Sequence, residues 1–256
     1  MAVTIAVEAA ELVRATREAA IADIDTKSTP TDVVTAADRA AEDLIRARVA
    51  ELRPDDDVLG EEAGGAKGSG VTWVVDPIDG TVNYLYGLPW YAVSIGVEVD
   101  GEAVAGAVVE PASGRRWSAA KGQGAWLDGT RLHCSSPVSL ELTLLASGFG
   151  YQAARREFQA GVLARMAGSV RDVRRSGSAA LELVSVAAGW VDAYYERWLG
   201  PWDYSAGALI AREAGARVWL PGECPQVGAD AVLVAAPSIA EPLRDVLVKA
   251  GAGSYE

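Results

Sequence analysis

Two carboxylates three residues apart, Asp76 and Asp79, enter a Gly-Thr turn straight from an apolar run in Trp73-Val-Val-Asp-Pro-Ile-Asp-Gly-Thr-Val-Asn-Tyr84. Val74 and Val75 are β-branched and suit a buried strand. Pro77 and Gly80 bracket a turn that no regular strand continues through, so both acids are expected at a strand end. Open α/β sheets place ligands there. A second acidic turn, Gly60-Glu61-Glu62, follows the apolar pair Val58-Leu59, and a third, Trp202-Asp203-Tyr204, precedes a helical pattern. Taken singly, each is an ordinary polar turn. Taken together they need one explanation. At about 4 Å and an effective dielectric near 20, each converging pair of carboxylates repels by roughly 4 kcal/mol, so a buried group of them demands cations or protons. The chemistry on offer is the holding of hard cations over a phosphate. The Ile78 carbonyl sits between the two acids, and Mg²⁺ takes such oxygen ligands at about 2.0–2.1 Å with waters completing its octahedron.

Composition excludes several other phosphoryl chemistries. His133 is the sole histidine, too few for phosphohistidine enzymes or histidine-rich zinc sites, and reads as a surface residue on a turn. Cys134 is followed by Ser135, Ser136, Pro137, Val138 and Ser139, with no arginine closing a phosphate-cradling loop, which disfavours a cysteine nucleophile. No Gly-x-x-x-x-Gly-Lys-Ser/Thr loop occurs. Haloacid-dehalogenase-type phosphatases carry Asp-x-Asp with both acids on one strand face. Here the acids are three apart with Pro77 between them, which changes the geometry.

The 256 residues, 50% hydrophobic and 23% charged, suit one globular unit. A net charge of −12, from 23 basic and 35 acidic residues, argues against nucleic acid or an anionic membrane as partner. It also suits phosphate esters only if metal ions reverse the local sign. The run Arg171-Asp-Val-Arg-Arg175 is a local exception, read as a solvated turn or dimer rim in preference to a phosphate clamp. Cys134 and Cys224 are expected to be ordinary reduced thiols. With no basic, apolar leader and no run long enough to span a bilayer, the expected location is the cytoplasm.

These acids need elements to carry them. Residues 3–22 place Val3, Ile5, Ala6, Ala9, Leu12 and Val13 on one stripe of a first amphipathic helix. A polar loop then leads to Thr35, whose hydroxyl is set to cap a helix running to about Arg53, with Asp38 three residues on. Asp38 is equally a capping-box acid and a catalytic candidate. Residues 71–120 read as short antiparallel strands with a turn at Asp100-Gly101. Beyond about Ser139, strand-like runs (142–147, 191–195, 217–220, 231–235) alternate with helical ones (153–166, 178–188, 203–214, 239–248), an α/β pattern. No repeat or linker divides the chain.

These residues together carry a resemblance. Residues 27–38, Gly60-Glu61-Glu62, the Asp76–Tyr84 run, Arg175-Ser-Gly-Ser-Ala-Ala180, Asp192-Ala-Tyr-Tyr-Glu196 and the helix opening at Trp202-Asp203 resemble the inositol monophosphatase family of Mg²⁺-dependent, lithium-sensitive phosphatases, and within it the bacterial inositol-1-phosphatase type. The resemblance implies an α/β (α+β) fold, a layered αβαβα sandwich forming a single catalytic unit over 1–256. Residues 1–138 would be the α+β half with an antiparallel sheet and the main metal loop, and 139–256 the α/β half with sugar-binding residues and the last metal ligand. It implies that Glu61, Asp76 and the Ile78 carbonyl hold one Mg²⁺, Asp76, Asp79 and Asp203 a second, and Glu61 with waters a third. Glu62, adjacent to Glu61, is not expected at the same ion. Thr81 and Asp38 match positions that orient the attacking water, with Glu61 in the catalytic set. The amides of Gly80 and Thr81 match a phosphate site. Asp79, Gly177, Ala179, Glu196 and Asp203 match the substrate side, where Gly177 and Ala179 serve equally well as tight packing and Glu196 as a strand-end surface acid.

The implied reaction is hydrolysis of myo-inositol 1-phosphate by a metal-activated water, without a phosphoenzyme. Li⁺ is expected as inhibitor, a homodimer as assembly, and a small phosphorylated cyclitol or sugar as partner. Fructose 1,6-bisphosphate, histidinol phosphate or a 3′-phosphonucleotide are the alternative substrates, and a non-catalytic dimeric interaction module is the alternative from a different class. Three positions depart from the pattern or stay open. Tyr84 stands where the family usually has Phe, a change expected to keep the packing. Residues 197–201 match nothing closely and border the implied sugar pocket, which leaves substrate preference open there, and Lys27 fits either a mobile basic loop near the metals or plain solvated loop.

Overall fold

The computed structural model describes residues 1–20, 24–26, 33–65, 68 and 70–255, so Lys27 lies outside the described residues. Its elements run α1 (Ala2–Ala20), β1 (Ile24–Thr26), β2 (Val33–Thr35), α2 (Ala36–Leu52), β3 (Asp57–Gly60), β4 (Val71–Asp79), α3 (Thr81–Tyr86), β5 (Ala92–Val99), β6 (Glu102–Val109), β7 (Arg116–Ala120), β8 (Ala125–Leu127), β9 (Thr130–Arg131), β10 (Leu144–Ser147), α4 (Ala153–Met166), β11 (Asp172–Arg174), α5 (Ala179–Ala187), β12 (Ala193–Arg197), α6 (Pro201–Glu213), β13 (Arg217–Trp219), β14 (Ala231–Ala235) and α7 (Ala240–Lys249).

Alternation along the strands builds five layers. On one face of a seven-stranded sheet, ordered β3 to β9, Trp73, Val75, Val93, Ile95, Ala107 and Val109 pack against Ile5, Ala9 and Val13 of α1 and Ala41, Ile45 and Val49 of α2. The in-between residues Ala92 and Val108 point the other way, onto Leu181 and Val184 of α5 and Ala206, Leu209 and Ile210 of α6. A five-stranded sheet, ordered β11-β10-β12-β14-β13, presents Tyr194, Val232 and Val234 to those same helices. Its far face, with Leu145, Tyr195 and Leu233, meets Val162 and Met166 of α4 and Leu243 and Leu247 of α7. This is the expected αβαβα sandwich. No helix among the described residues is long and apolar enough to cross a membrane.

Three local features differ from the sequence expectations. The first sheet is not wholly antiparallel, because β3 pairs parallel to β4 with Gly60 opposite Val75. Parallel neighbours end at the same sheet edge, so the Glu61 turn arrives beside Asp76. Next, β4 continues through Pro77 to Asp79, with its pairing to β5 slipping between Asp76 and Asp79. Proline has no N–H to contribute to a ladder, and an irregularity is where a strand tolerates it. Finally, the segment read as a solvated turn around residues 171–175 contains β11, an edge strand parallel to β10 whose Asp172 and Arg174 are exposed and ion-paired.

The middle helix α6 approaches the first sheet closely. A Cβ on Gly96 would sit 2.3 Å from Ser205 Oγ, and one on Gly106 would sit 3.0 Å from Ala206 Cα. Ser205 Oγ donates to the buried Glu98 at 2.8 Å, and Ser94 Oγ donates to the Trp202 carbonyl at 3.3 Å. The first turn of α6, and with it Asp203, is thereby fixed against β5.

Candidate active site

Among the described residues, one carboxylate oxygen from each of Asp76, Asp79 and Asp203 lies within 4.8 Å of the other two. Asp76 and Asp79 reach this point on the bulged end of β4, and Asp203 comes from the third position of α6, where its Oδ2 also accepts from the Gly200 amide at 2.6 Å. Asp79 is held on both oxygens. Ser178 Oγ (2.5 Å) and the Ala180 amide (2.7 Å) donate to Oδ2, and the Ala179 amide (3.2 Å) donates to Oδ1. Burial pushes the Asp79 carboxyl up to about 6, with the nearby Glu61 charge adding and those hydrogen bonds opposing. Burial, then the Glu61 and Asp79 charges, pushes Asp203 well above the usual carboxylate range. An all-oxygen set of converging acids, Asp76 and Asp79 buried and Asp203 partly so, fits a hard divalent cation, whose charge would reverse both shifts.

Glu61 lines the same cavity, a space of about 250 Å³ that also borders Ile78, Gly80 and Thr81, but it is not one of the three acids in the tight group. Its turn is anchored from two sides. The Glu61 amide donates to the Val75 carbonyl at 3.1 Å, and the amides of Glu62 and Ala63 donate to the buried carboxylate of Glu42 at 2.8 and 3.0 Å. Glu42 was not anticipated. It falls on the apolar stripe of α2 with Ala41, Ile45 and Val49, and an acid on a buried stripe is the signal by which it could have been found.

Asp38 is the capping-box acid, and its second oxygen is turned to Thr81. Its Oδ2 accepts from the Thr35 amide (2.8 Å) and the Thr35 hydroxyl (2.6 Å), completing a capping box. Its Oδ1 faces the Thr81 hydroxyl at 3.2 Å, and that hydroxyl also lies 2.9 Å from the Ile78 carbonyl. Tyr84, three residues on, is fully buried and donates to the Val13 carbonyl at 3.0 Å, so its extra hydroxyl finds a partner and the packing is kept.

A second cavity, of about 160 Å³, opens from the first; Asp79, Gly80, Tyr151, Trp198 and Asp203 line both. Gly80 turns the chain here at φ +92°, and a Cβ on it would press to 3.1 Å from the carbonyls of Gly177 and Trp90. Gly177 and Ala179 line the second cavity, and tight packing is also present at Gly177, where a Cβ would meet Asn83 at 2.9 Å. Glu196 is not the surface acid its strand-end position allowed. It is buried, lines this cavity and accepts from the Tyr194 hydroxyl at 2.6 Å. Burial pushes its carboxyl up to about 7, opposed by the Tyr194 hydrogen bond and the Arg175 charge. Arg175 is on the cavity wall, so the arginine run divides: its last member faces the site and the rest stays on the surface. Arg155, Ser178 and Phe149 are among the lining residues that sequence reading missed, because distant segments bring the wall together, and Trp198 comes from the 197–201 stretch expected to border this pocket.

The model of the inositol monophosphatase family matches residues 1–250. The inositol-1-monophosphatase of Mycobacterium leprae (strain TN) is 53% identical over 232 residues, 86% of this chain and 80% of that one. The structure of Mycobacterium tuberculosis SuhB has a TM-score of 0.85 and 47% identity, covering 99% of this chain and 96% of that one. Inositol monophosphate-bound SaIMPase-II has a TM-score of 0.75 and 27% identity, covering 96% and 95%. A match that takes in all three acidic turns and both sheets, at this level of identity, leaves one assignment: the chain belongs to the inositol monophosphatase family and is a phosphatase.

Proposed function

We propose that this phosphatase is a Mg²⁺-dependent phosphomonoesterase that hydrolyses myo-inositol 1-phosphate to inositol and phosphate by direct attack of water. One observation carries the reading. A cavity edged by converging acids and a second cavity edged by the buried Glu196 join at Asp79, Gly80 and Asp203, where a phosphate would bridge them. The inositol monophosphate bound by the SaIMPase-II relative supports the substrate class. Two to three Mg²⁺ ions would be held by Glu61, Asp76, the Ile78 carbonyl, Asp79 and Asp203. When bound they acidify a water and neutralise charge on the attacking and leaving oxygens.

The chain's own groups set the rest. Thr81 has one hydroxyl proton and two inward acceptors, Asp38 Oδ1 and the Ile78 carbonyl, so its lone pairs are offered outward to a proton of the attacking water. As that water loses its proton to Thr81, the Thr81 proton passes to Asp38, which Thr35 holds in place. Asp79 is a poor nucleophile because three donors engage its two oxygens, which supports a route without a phosphoenzyme. The amides of Gly80 and Thr81 edge the phosphate position, and Gly177, Ala179 and Glu196 border the leaving alcohol. Asp203 completing the group of Asp76 and Asp79 supports a single catalytic unit made from both halves of the chain. Inhibition by Li⁺, a homodimer and a cytoplasmic setting belong to the same proposal.

The test is steady-state kinetics with a Mg²⁺ titration on myo-inositol 1-phosphate, fructose 1,6-bisphosphate, histidinol phosphate and a 3′-phosphonucleotide. The expected result is strict Mg²⁺ dependence and the highest kcat/KM on the inositol ester. A higher kcat/KM on another ester overturns the substrate. No hydrolysis of any of them overturns the activity in favour of a non-catalytic module.

A further inference from the structure

Residues 197–201, the stretch that the family resemblance matched least closely, supply the wall between the two cavities. Among the described residues only Asp100, Asp128 and Trp198 adopt positive φ without being glycine. The two aspartates sit in tight turns before Gly101 and Gly129, a residue type and setting that tolerate the left-handed region. A tryptophan at φ +64° is different, and such backbone strain persists only where the surroundings over-determine it. They do so here. The Arg197 guanidinium lies 4.4 Å from the Trp198 ring centroid and that of Arg155 lies 5.1 Å from it. Tyr255 and Phe158 meet the indole edge to face at 4.8 and 6.0 Å, and each other at 5.1 Å. Arg197 is itself buried, donating to Asp230 at 2.6 Å and to the Ala252 carbonyl at 3.0 Å. Ala252 is thus tied to β12, and the Tyr255 ring backs the indole.

We infer that Trp198 determines specificity for the leaving alcohol, favouring rigid rings with a C–H face that can lie against the indole, and that Tyr255 is the positioning residue that keeps the indole there. Trp198 lines both cavities at their junction, and Phe149 and Tyr151 line the leaving-group cavity with it. An acyclic alcohol has no such face and gains little from the wall. The inference rests on the proposed function and adds the ring-face selectivity to it.

The experiment compares myo-inositol 1-phosphate with glycerol 2-phosphate, with Mg²⁺, in the full-length wild type and in Trp198→Ala, Trp198→Phe, Tyr255→Ala and Tyr255→Phe. Trp198→Ala is expected to raise KM for the inositol ester about tenfold while kcat, and both constants for the glycerol ester, stay within about twofold. Trp198→Phe recovers most of the loss. Tyr255→Ala raises KM about threefold on the inositol ester alone, and Tyr255→Phe behaves as wild type. If Trp198→Ala does not fold, the Tyr255 pair carries the test. Equal effects on both esters, unchanged kinetics in Tyr255→Ala, or no rescue by Tyr255→Phe overturns the wall and leaves the activity standing. A wild type that hydrolyses neither ester overturns the activity and the wall with it.

Discussion

The two sides of the proposed phosphate position, a proposed cation side and a proposed leaving-group side, are built in opposite ways. On the cation side, Asp76, Ile78, Asp79, Gly80 and Thr81 come from one stretch of backbone at the joint of β4 and α3, with Glu61 brought in by strand pairing and Asp203 by a helix pressed onto glycines of the same sheet. On the leaving-group side, Phe149, Arg155, Arg175, Gly177, Glu196 and Trp198 come from separate segments of the second half and meet mainly in irregular backbone. Register and burial hold the first, whereas cation–ring contacts and the tie from Arg197 to Ala252 hold much of the second. The lesson is that the same cleft can keep its reaction while its preference among alcohols changes, because the two depend on different contacts. Lesions on the cation side should lower turnover on every ester. Those on the other side should act through KM on ring-bearing esters.

The largest effect is expected from Asp76→Asn. Turnover should fall on the order of 10³-fold on inositol and glycerol esters alike. The metal-free variant should unfold at the same or a higher temperature than the wild type, because one of three converging acids that oppose one another's ionisation is gone. Kinetics and thermal unfolding without Mg²⁺ check the two halves of this prediction, and a loss confined to the inositol ester would erase the contrast between the two sides. Thr81→Val comes next, with kcat lower by on the order of 10²-fold and little change in KM or in the Mg²⁺ requirement. Asp38→Asn should cost a similar factor, and the double variant no more than the worse single one, since both act on one proton route. Thr81→Ser should retain most activity.

Glu42→Ala is expected to act on the cation side without touching a cation. Loss of its carboxylate frees the Glu62 and Ala63 amides and loosens the turn that carries Glu61. The Mg²⁺ concentration for half-maximal rate should rise by about tenfold, with kcat nearly restored at saturation and stability lower by about 1–3 kcal/mol. A drop in kcat that saturating Mg²⁺ does not repair would mean that Glu42 does more than hold the turn.

The contrast also explains what was legible in the chain. Asp76, Asp79 and Asp203 were readable because each sits on a local signal: a β-branched run broken by proline and glycine, or a helix start. Asp38 was readable as a cap for the same reason; its link to Thr81 came through the family resemblance alone, and the fold shows the contact itself. The place of Glu61 depended on β3 pairing parallel to β4, which a four-residue strand does not announce. The wall was least legible. Nothing local requires a tryptophan at positive φ, and Arg175 looked like its exposed neighbours until β11 and α5 fixed which way the chain turned after it.

Glu196→Gln should give the smallest kinetic effect and the sharpest test of the leaving-group side. Glutamine keeps an acceptor for the Tyr194 hydroxyl, so the pocket should hold its shape. The two side chains differ only where the wild type is ionised, and burial has raised the Glu196 carboxyl to about 7 from an ordinary value of 4.5. Below pH 4.5 the group is protonated both folded and unfolded, so it contributes nothing to the pH dependence of stability. As pH rises from there to about 7, the unfolded chain ionises it freely while the folded protein resists, and stability is lost. Above pH 7 that loss is complete. The variant should therefore match the wild type in thermal unfolding near pH 4 and exceed it at pH 8. Its KM for the inositol ester should rise by about threefold at pH 8 and hardly at pH 6, with the glycerol ester indifferent at both. A pH-independent increase in KM would mean that the ring hydroxyls bind the protonated acid as well as the carboxylate, and the role of Glu196 would then be shape alone.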